Sequence, residues 1–138
     1  SDGAGADVPY MLGGEETAVL SWSDFGIELP AEAEVEGITI TIWRSEVDGH
    51  GDIHDRSLRL AENGQAVGRD RAEPGRGWTS ATTAVSYGGP FDRWGEAWTP
   101  ERLGSKTFGV KFRAARGGVA FSHADVDAVQ VEVHAIVP

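Results

Sequence analysis

The stretch GITITIWRSEV, residues 37–47, places Ile38, Ile40 and Ile42 on one face and Thr39, Thr41 and Trp43 on the other. A repeat of two is the period of a strand with one face buried, whereas a helix repeats its apolar residues every three to four positions. The same alternation returns twice near the other end of the chain. In TFGVKFRAA, residues 107–115, Phe108, Val110, Phe112 and Ala114 share a face opposite Lys111 and Arg113. In residues 119–137, Val129, Val131 and Val133 alternate with Gln130, Glu132 and His134.

Shorter strands are expected between these three. TAVLSW, residues 17–22, has β-branched and aromatic content and is broken by Ser23 and Asp24. The Ala and Glu of residues 25–37 invite a helix, but Pro30 disfavours a helical Leu29 and the apolar residues lack helical spacing. A strand end over residues 25–29 and an exposed turn are expected instead. Residues 54–62 set Leu58 and Leu60 opposite Arg59, and Asn63-Gly64 is a type I′ hairpin signal leading into a returning strand over residues 65–69. DRAEPGRG, residues 70–77, reads as a surface loop, and residues 78–87 as a strand stopped by Gly88-Gly89-Pro90. Thr99 suits an N-cap, Pro100 the first helical position and Gly104 the position just past the end, giving one short helical turn near 100–104. Many short strands with almost no helix predict an all-β protein, an antiparallel β-sandwich or barrel.

A chain of 138 residues fits one domain. Residues 17–138 are expected to form it, with residues 1–16, four of them Gly, as an arm that is flexible or ordered by a partner. The N-terminus lacks the basic then apolar order of a secretory signal. No run reaches the roughly 18 apolar residues of a membrane helix, so no membrane partner is expected. The net charge of -10, from 22 acidic and 12 basic residues, opposes binding to a phosphate backbone, so no nucleic acid is expected either. Without Cys the fold cannot lean on disulfides.

Three segments in order resemble a β-sandwich module of predicted phage virion proteins and some bacterial surface proteins. Phe25, Ile27, Pro30, Val35, Gly37 and Ile38 match its first phrase. Trp94, Gly95, Trp98, Thr99, Pro100, Phe108, Gly109 and Val110 match its second, and Val126, Asp127, Val129, Val131 and Val133 its closing one. Leu103-Gly104 stands where the pattern has something like Ile-Asn. The resemblance covers residues 19–137. It implies a jelly-roll-like sandwich without catalytic residues, used as a building or display unit on a virion or in an extracellular setting, as a homo-oligomer or beside other virion or surface subunits. In that frame Trp94, Trp98, Thr99, Pro100 and Phe108 are structural.

DGHGDIHD, residues 48–55, carries the densest chemistry. Its Gly-Asp-Ile-His portion is similar to part of a metallophosphatase motif, but the later Gly-Asp and Gly-Asn-His ligand motifs do not occur. Asp48, Asp52 and Asp55 could offer oxygens to one calcium ion, and His50 and His54 would suit a transition metal better. The plainer expectation is a solvated loop between strands and no cofactor. Ser122, His123 and Asp125 are too close along one strand to form a triad. Trp43, out of phase with the isoleucines, is the candidate for an outer-face protein or glycan contact. The resemblance implies a noncatalytic virion structural protein, a capsid decoration or a fibre or tail module, and Trp43 carries the alternative of a carbohydrate-binding or adhesion module.

Overall fold

A computed structural model describes residues 6–7, 20–47, 53–75, 77–116 and 123–138. The strands are β1 (Ala6–Asp7), β2 (Leu20–Ser23), β3 (Glu34–Val47), β4 (Ile53–Glu62), β5 (Gln65–Val67), β6 (Thr83–Gly89), β7 (Gly109–Arg116) and β8 (His123–Ile136), with one helix, α1 (Pro100–Gly104). They form two four-stranded antiparallel sheets, ordered β1-β8-β3-β6 and β2-β7-β4-β5. The protein is an all-β sandwich. Four of its ladders are nested: β1 with β8, β2 with β7, β3 with β6 and β4 with β5.

Register follows the alternation. Ile38, Ile40 and Ile42 lie opposite Val133, Val131 and Val129 on one side, and Ile40 and Ile42 opposite Tyr87 and Val85 on the other. In the facing sheet, Leu58 and Leu60 oppose Phe112 and Val110, which oppose Leu20 and Trp22. These inward sets make one core, in which Phe108 meets Trp98 edge-on at 5.2 Å between ring centroids. At roughly 25 cal/mol per Å² of apolar surface buried, such inward side chains supply most of what favours folding.

Three breaks in register lie along the long ladders. Glu36 of β3 is the extra residue between Val35 and Gly37, Asp127 of β8 the extra residue opposite the step from Trp43 to Arg44, and Arg56 of β4 the extra residue between Asp55 and Ser57. Each bulge lets an inward run continue past the extra residue of its own strand. Arg44 keeps the inward phase of Ile38, Ile40 and Ile42, and Asp55 reaches the core face because Arg56 rephases β4; they are 3% and 0% exposed.

The Asn63-Gly64 hairpin is present, with φ of 51° and 79° as a type I′ turn requires. Other segments depart from expectation. Residues 24–30 form no strand, because Asp24 and Gly26 take positive φ and the backbone leaves the sheet. Trp78 precedes β6 rather than starting it: its amide donates to Ile53 O at 2.8 Å while its indole is buried. Gly104 is the last residue of α1 instead of lying beyond it. Ala6 and Asp7, from the segment expected as an arm, pair with Val126 and Asp125 of β8. The remainder of residues 1–16 lies outside the described residues, as do 17–19.

Candidate functional site

The polar centre of the molecule is Asp55. Its carboxylate accepts from the Arg44 guanidinium, from Trp78 Nε1 at 3.0 Å, from Tyr87 Oη at 2.7 Å and from the Glu73 amide at 3.1 Å. An ionised carboxylate offers about four acceptor positions, so these donors occupy what Asp55 has. The partners come from β3, from β6 and from the segment between β5 and β6, so one side chain of β4 joins the two sheets and a loop. Arg44 also lies over the Trp78 ring, 4.8 Å from its centroid, and Trp78 stacks on Phe112 at 5.9 Å. Burial, then the nearby Asp55 charge, pushes the Tyr87 phenol far above its ordinary value, which keeps it a neutral donor. Glu46, fully buried, accepts the Ile53 amide at 2.9 Å.

This arrangement ties the sheets together. A general base needs a lone pair free to face a substrate, and both Asp55 oxygens already hold two protein donors each. Beside the cluster lies a cavity of about 60 Å³ lined by Arg44, Trp78, Thr79, Thr83 and Val85.

Of the residues grouped for a metal, the structure describes Asp55 and His54. Asp55 belongs to β4 and to the core rather than to a solvated loop, and a cation there would have to displace one of its four donors. Asp48, His50 and Asp52 lie outside the described residues. His54 sits half-buried opposite Ala115. Among the described residues no three His, Asp or Glu side chains gather as a ligand set.

Trp43 does lie on the outer face of the first sheet, half-buried, with Ala84 and Ala128 as its cross-strand neighbours. Thr39, Thr41, Gln130 and Glu132 continue that face.

The residues of the second motif phrase build the corner after β6. Trp94 is fully buried with φ of 57°, and its Nε1 donates to Ile38 O at 2.8 Å. The neighbouring Gly88 has φ of 78°, and a Cβ there would come within 2.4 Å of Ile38 O and 2.6 Å of Trp94 Nε1, so only glycine leaves room for that bond. Trp98 Nε1 donates to Arg93 O at 2.9 Å. Thr99 caps α1 by accepting the Arg102 amide at 3.1 Å, and Pro100 opens the helix. Arg102 donates to Glu62 from Nε at 2.9 Å and to Glu96 at 3.0 Å, and lies 4.4 Å from the Trp98 ring centroid. That hydrogen bond from Arg102 holds the Glu62 carboxyl below its ordinary value.

Sequence reasoning missed Arg44, Tyr87 and Arg102 and misplaced Asp55. One signal was present: Arg44 continues the inward phase of Ile38, Ile40 and Ile42. A surface groove of about 290 Å³ runs along β2 and β7, lined in part by Ser21, Ser23, Asn63, Lys106 and Lys111. No protein-family model matches this chain, and no curated protein or solved structure is significantly similar to it.

Proposed function

We propose that this chain is a noncatalytic structural protein of a phage-like virion, a capsid decoration or a fibre or tail module that works through its outer faces in the virion or extracellular space. The observation that carries this reading is where the ionisable groups go. Arg44, Asp55 and Glu46 sit inside the sandwich, and Asp55 and Glu46 accept hydrogen bonds from the protein itself. What the sheets turn outward is a broad polar surface interrupted by Trp43. The nested strand order supports a jelly roll, two Greek keys wrapped into facing sheets, as the resemblance of residues 19–137 to virion and surface modules implies.

Particles banded by density from the strain that encodes this chain test the reading, by quantitative mass spectrometry of their proteins. A fixed copy number per particle is expected. Recovery of the chain only in the soluble fraction would reject it.

One observation favours the alternative of a carbohydrate-binding or adhesion module. Both cross-strand neighbours of Trp43 are alanines, which leaves the indole face clear for stacking on sugar C–H groups. Glycan-array binding that disappears in Trp43→Ala, with the unfolding midpoint kept, would favour that module. An array blank for both proteins would leave Trp43 as a protein contact.

A further inference from the structure

The two sheets carry opposite charge. In the β1-β8-β3-β6 sheet the one Lys or Arg among the described strand residues is Arg44, and it is buried in the core. Outward, that sheet shows acids. Glu132 is exposed next to Val131 and Val133, and Asp127 is exposed at the bulge, where the buried Val126 and Val129 leave 127 and 128 facing out. Glu36 occupies the corresponding position at the other irregularity of the β3 and β8 ladder, between the buried Val35 and Ile38.

The β2-β7-β4-β5 sheet is the reverse. Among its described strand residues the only carboxylates are Asp55, held in the core, and Glu62, held by Arg102. Its outward positions include Arg59 and Lys111, which are cross-strand partners, and Arg113 opposite Ser57. A chain of net charge -10 has thus gathered cations on one face, although scattering them would have lowered its self-repulsion more evenly.

We infer that the acidic outer face of the first sheet docks on the basic outer face of the second sheet of another copy of this chain, in a head-to-tail array. The inference rests on the reading of the chain as an assembly unit and names its partner. Complementary faces on one molecule fit a second copy better than any single foreign partner, which would use only one of them. The smaller sheet sets the area: strands of 4, 8, 10 and 3 residues, at about 3.3 Å per residue and about 4.8 Å between strands, offer roughly 400 Å², the size of a weak, reversible contact that salt can dissolve. Unlike faces in contact make a heterologous interface, which closes into a ring or continues as a stack. Trp43, in the acidic face, gives an arginine of the neighbouring copy an aromatic ring to cover.

Charge-swapped variants of the full chain test this by light scattering. Ser21→Glu/Ser23→Glu/Lys111→Glu turns the basic face acidic, and Asp127→Lys/Glu132→Lys turns the acidic face basic. The wild-type chain is expected to associate at low salt and to fall apart at about 1 M salt, where the Debye length is about 3 Å. Each variant alone should associate about 10- to 100-fold more weakly, and an equimolar mixture should recover association, because the reversed faces match each other.

Association that persists at 1 M salt, or that neither variant weakens, overturns the proposal. So does a wild-type chain that stays monomeric at low salt, or a mixture of two variants with native near-ultraviolet circular dichroism that does not recover. The salt dependence of the wild type decides alone if a variant fails to fold. A chain recovered at fixed copy number in particles but indifferent to these charges would sink the docking while leaving the structural reading in place.

Discussion

The Asp55 carboxylate joins Arg44 and Tyr87 of one sheet to the strand of the other. Its energetics are those of a buried ion pair: the desolvation of two charges is recovered through good geometry and extra donors, and removing one partner strands the other. Asp55→Ala is therefore expected to lose about 3–5 kcal/mol of unfolding free energy, measured by urea titration. Arg44→Met added to Asp55→Ala should recover part of that, because no unpaired guanidinium remains. Equal losses for the single and double variants would show that the pair is not the source.

Tyr87 adds a pH signature. Its pKa is raised in the folded chain above the ordinary 10.0, so its contribution is complete below pH 10 and is lost as the pH climbs above it. Tyr87→Phe should lose about 1–2 kcal/mol near neutral pH, and its gap from wild type should narrow above pH 10. A gap constant to pH 11 would contradict a buried neutral phenol. The inward turn of Asp55 was not legible in the sequence, because alternation gives it the phase of Arg59 and only the extra residue Arg56 reverses it; Arg44 was legible, since it continues the phase of Ile38, Ile40 and Ile42.

Strands with clean alternation were legible for the opposite reason. Over residues 38–42 of β3, 110–114 of β7 and 129–133 of β8 every second residue is apolar, and that fixes both the strand and its inner face. The hairpin at Asn63-Gly64 and the cap at Thr99 were legible because their chemistry is local. Residues 24–30 were not, since their path depends on positive φ at Asp24 and Gly26 and on the Asp24 amide donating to Lys106 O at 3.1 Å, a contact distant in sequence.

The short helix gives two expected outcomes. Thr99→Ala should cost about 1 kcal/mol in thermal or urea unfolding, and an unchanged midpoint would show that the cap is dispensable. Glu62, held by Arg102, has its folded pKa lowered from 4.5, so its stabilisation is complete above 4.5 and is lost as the pH falls below it. Wild type and Glu62→Gln should differ by up to about 1 kcal/mol at neutral pH and converge in acid below pH 4.5. Divergence in acid would reverse the sign assigned to the pair.

The molecule as a whole was half legible. Seven of the eight described strands and the all-β class follow from pattern, whereas the division of charge between the sheets needs the pairing: β4 and β7 are far apart in the chain, and only their ladder sets Arg59 beside Lys111. The proposed docking of one copy on another uses this division of acids and bases between the faces. Sedimentation velocity of the purified full chain over a range of concentrations, at low and at high salt, measures this directly. Species larger than the 14.7 kDa monomer should grow with concentration at low salt and vanish at high salt. A single monomer peak under every condition would contradict it.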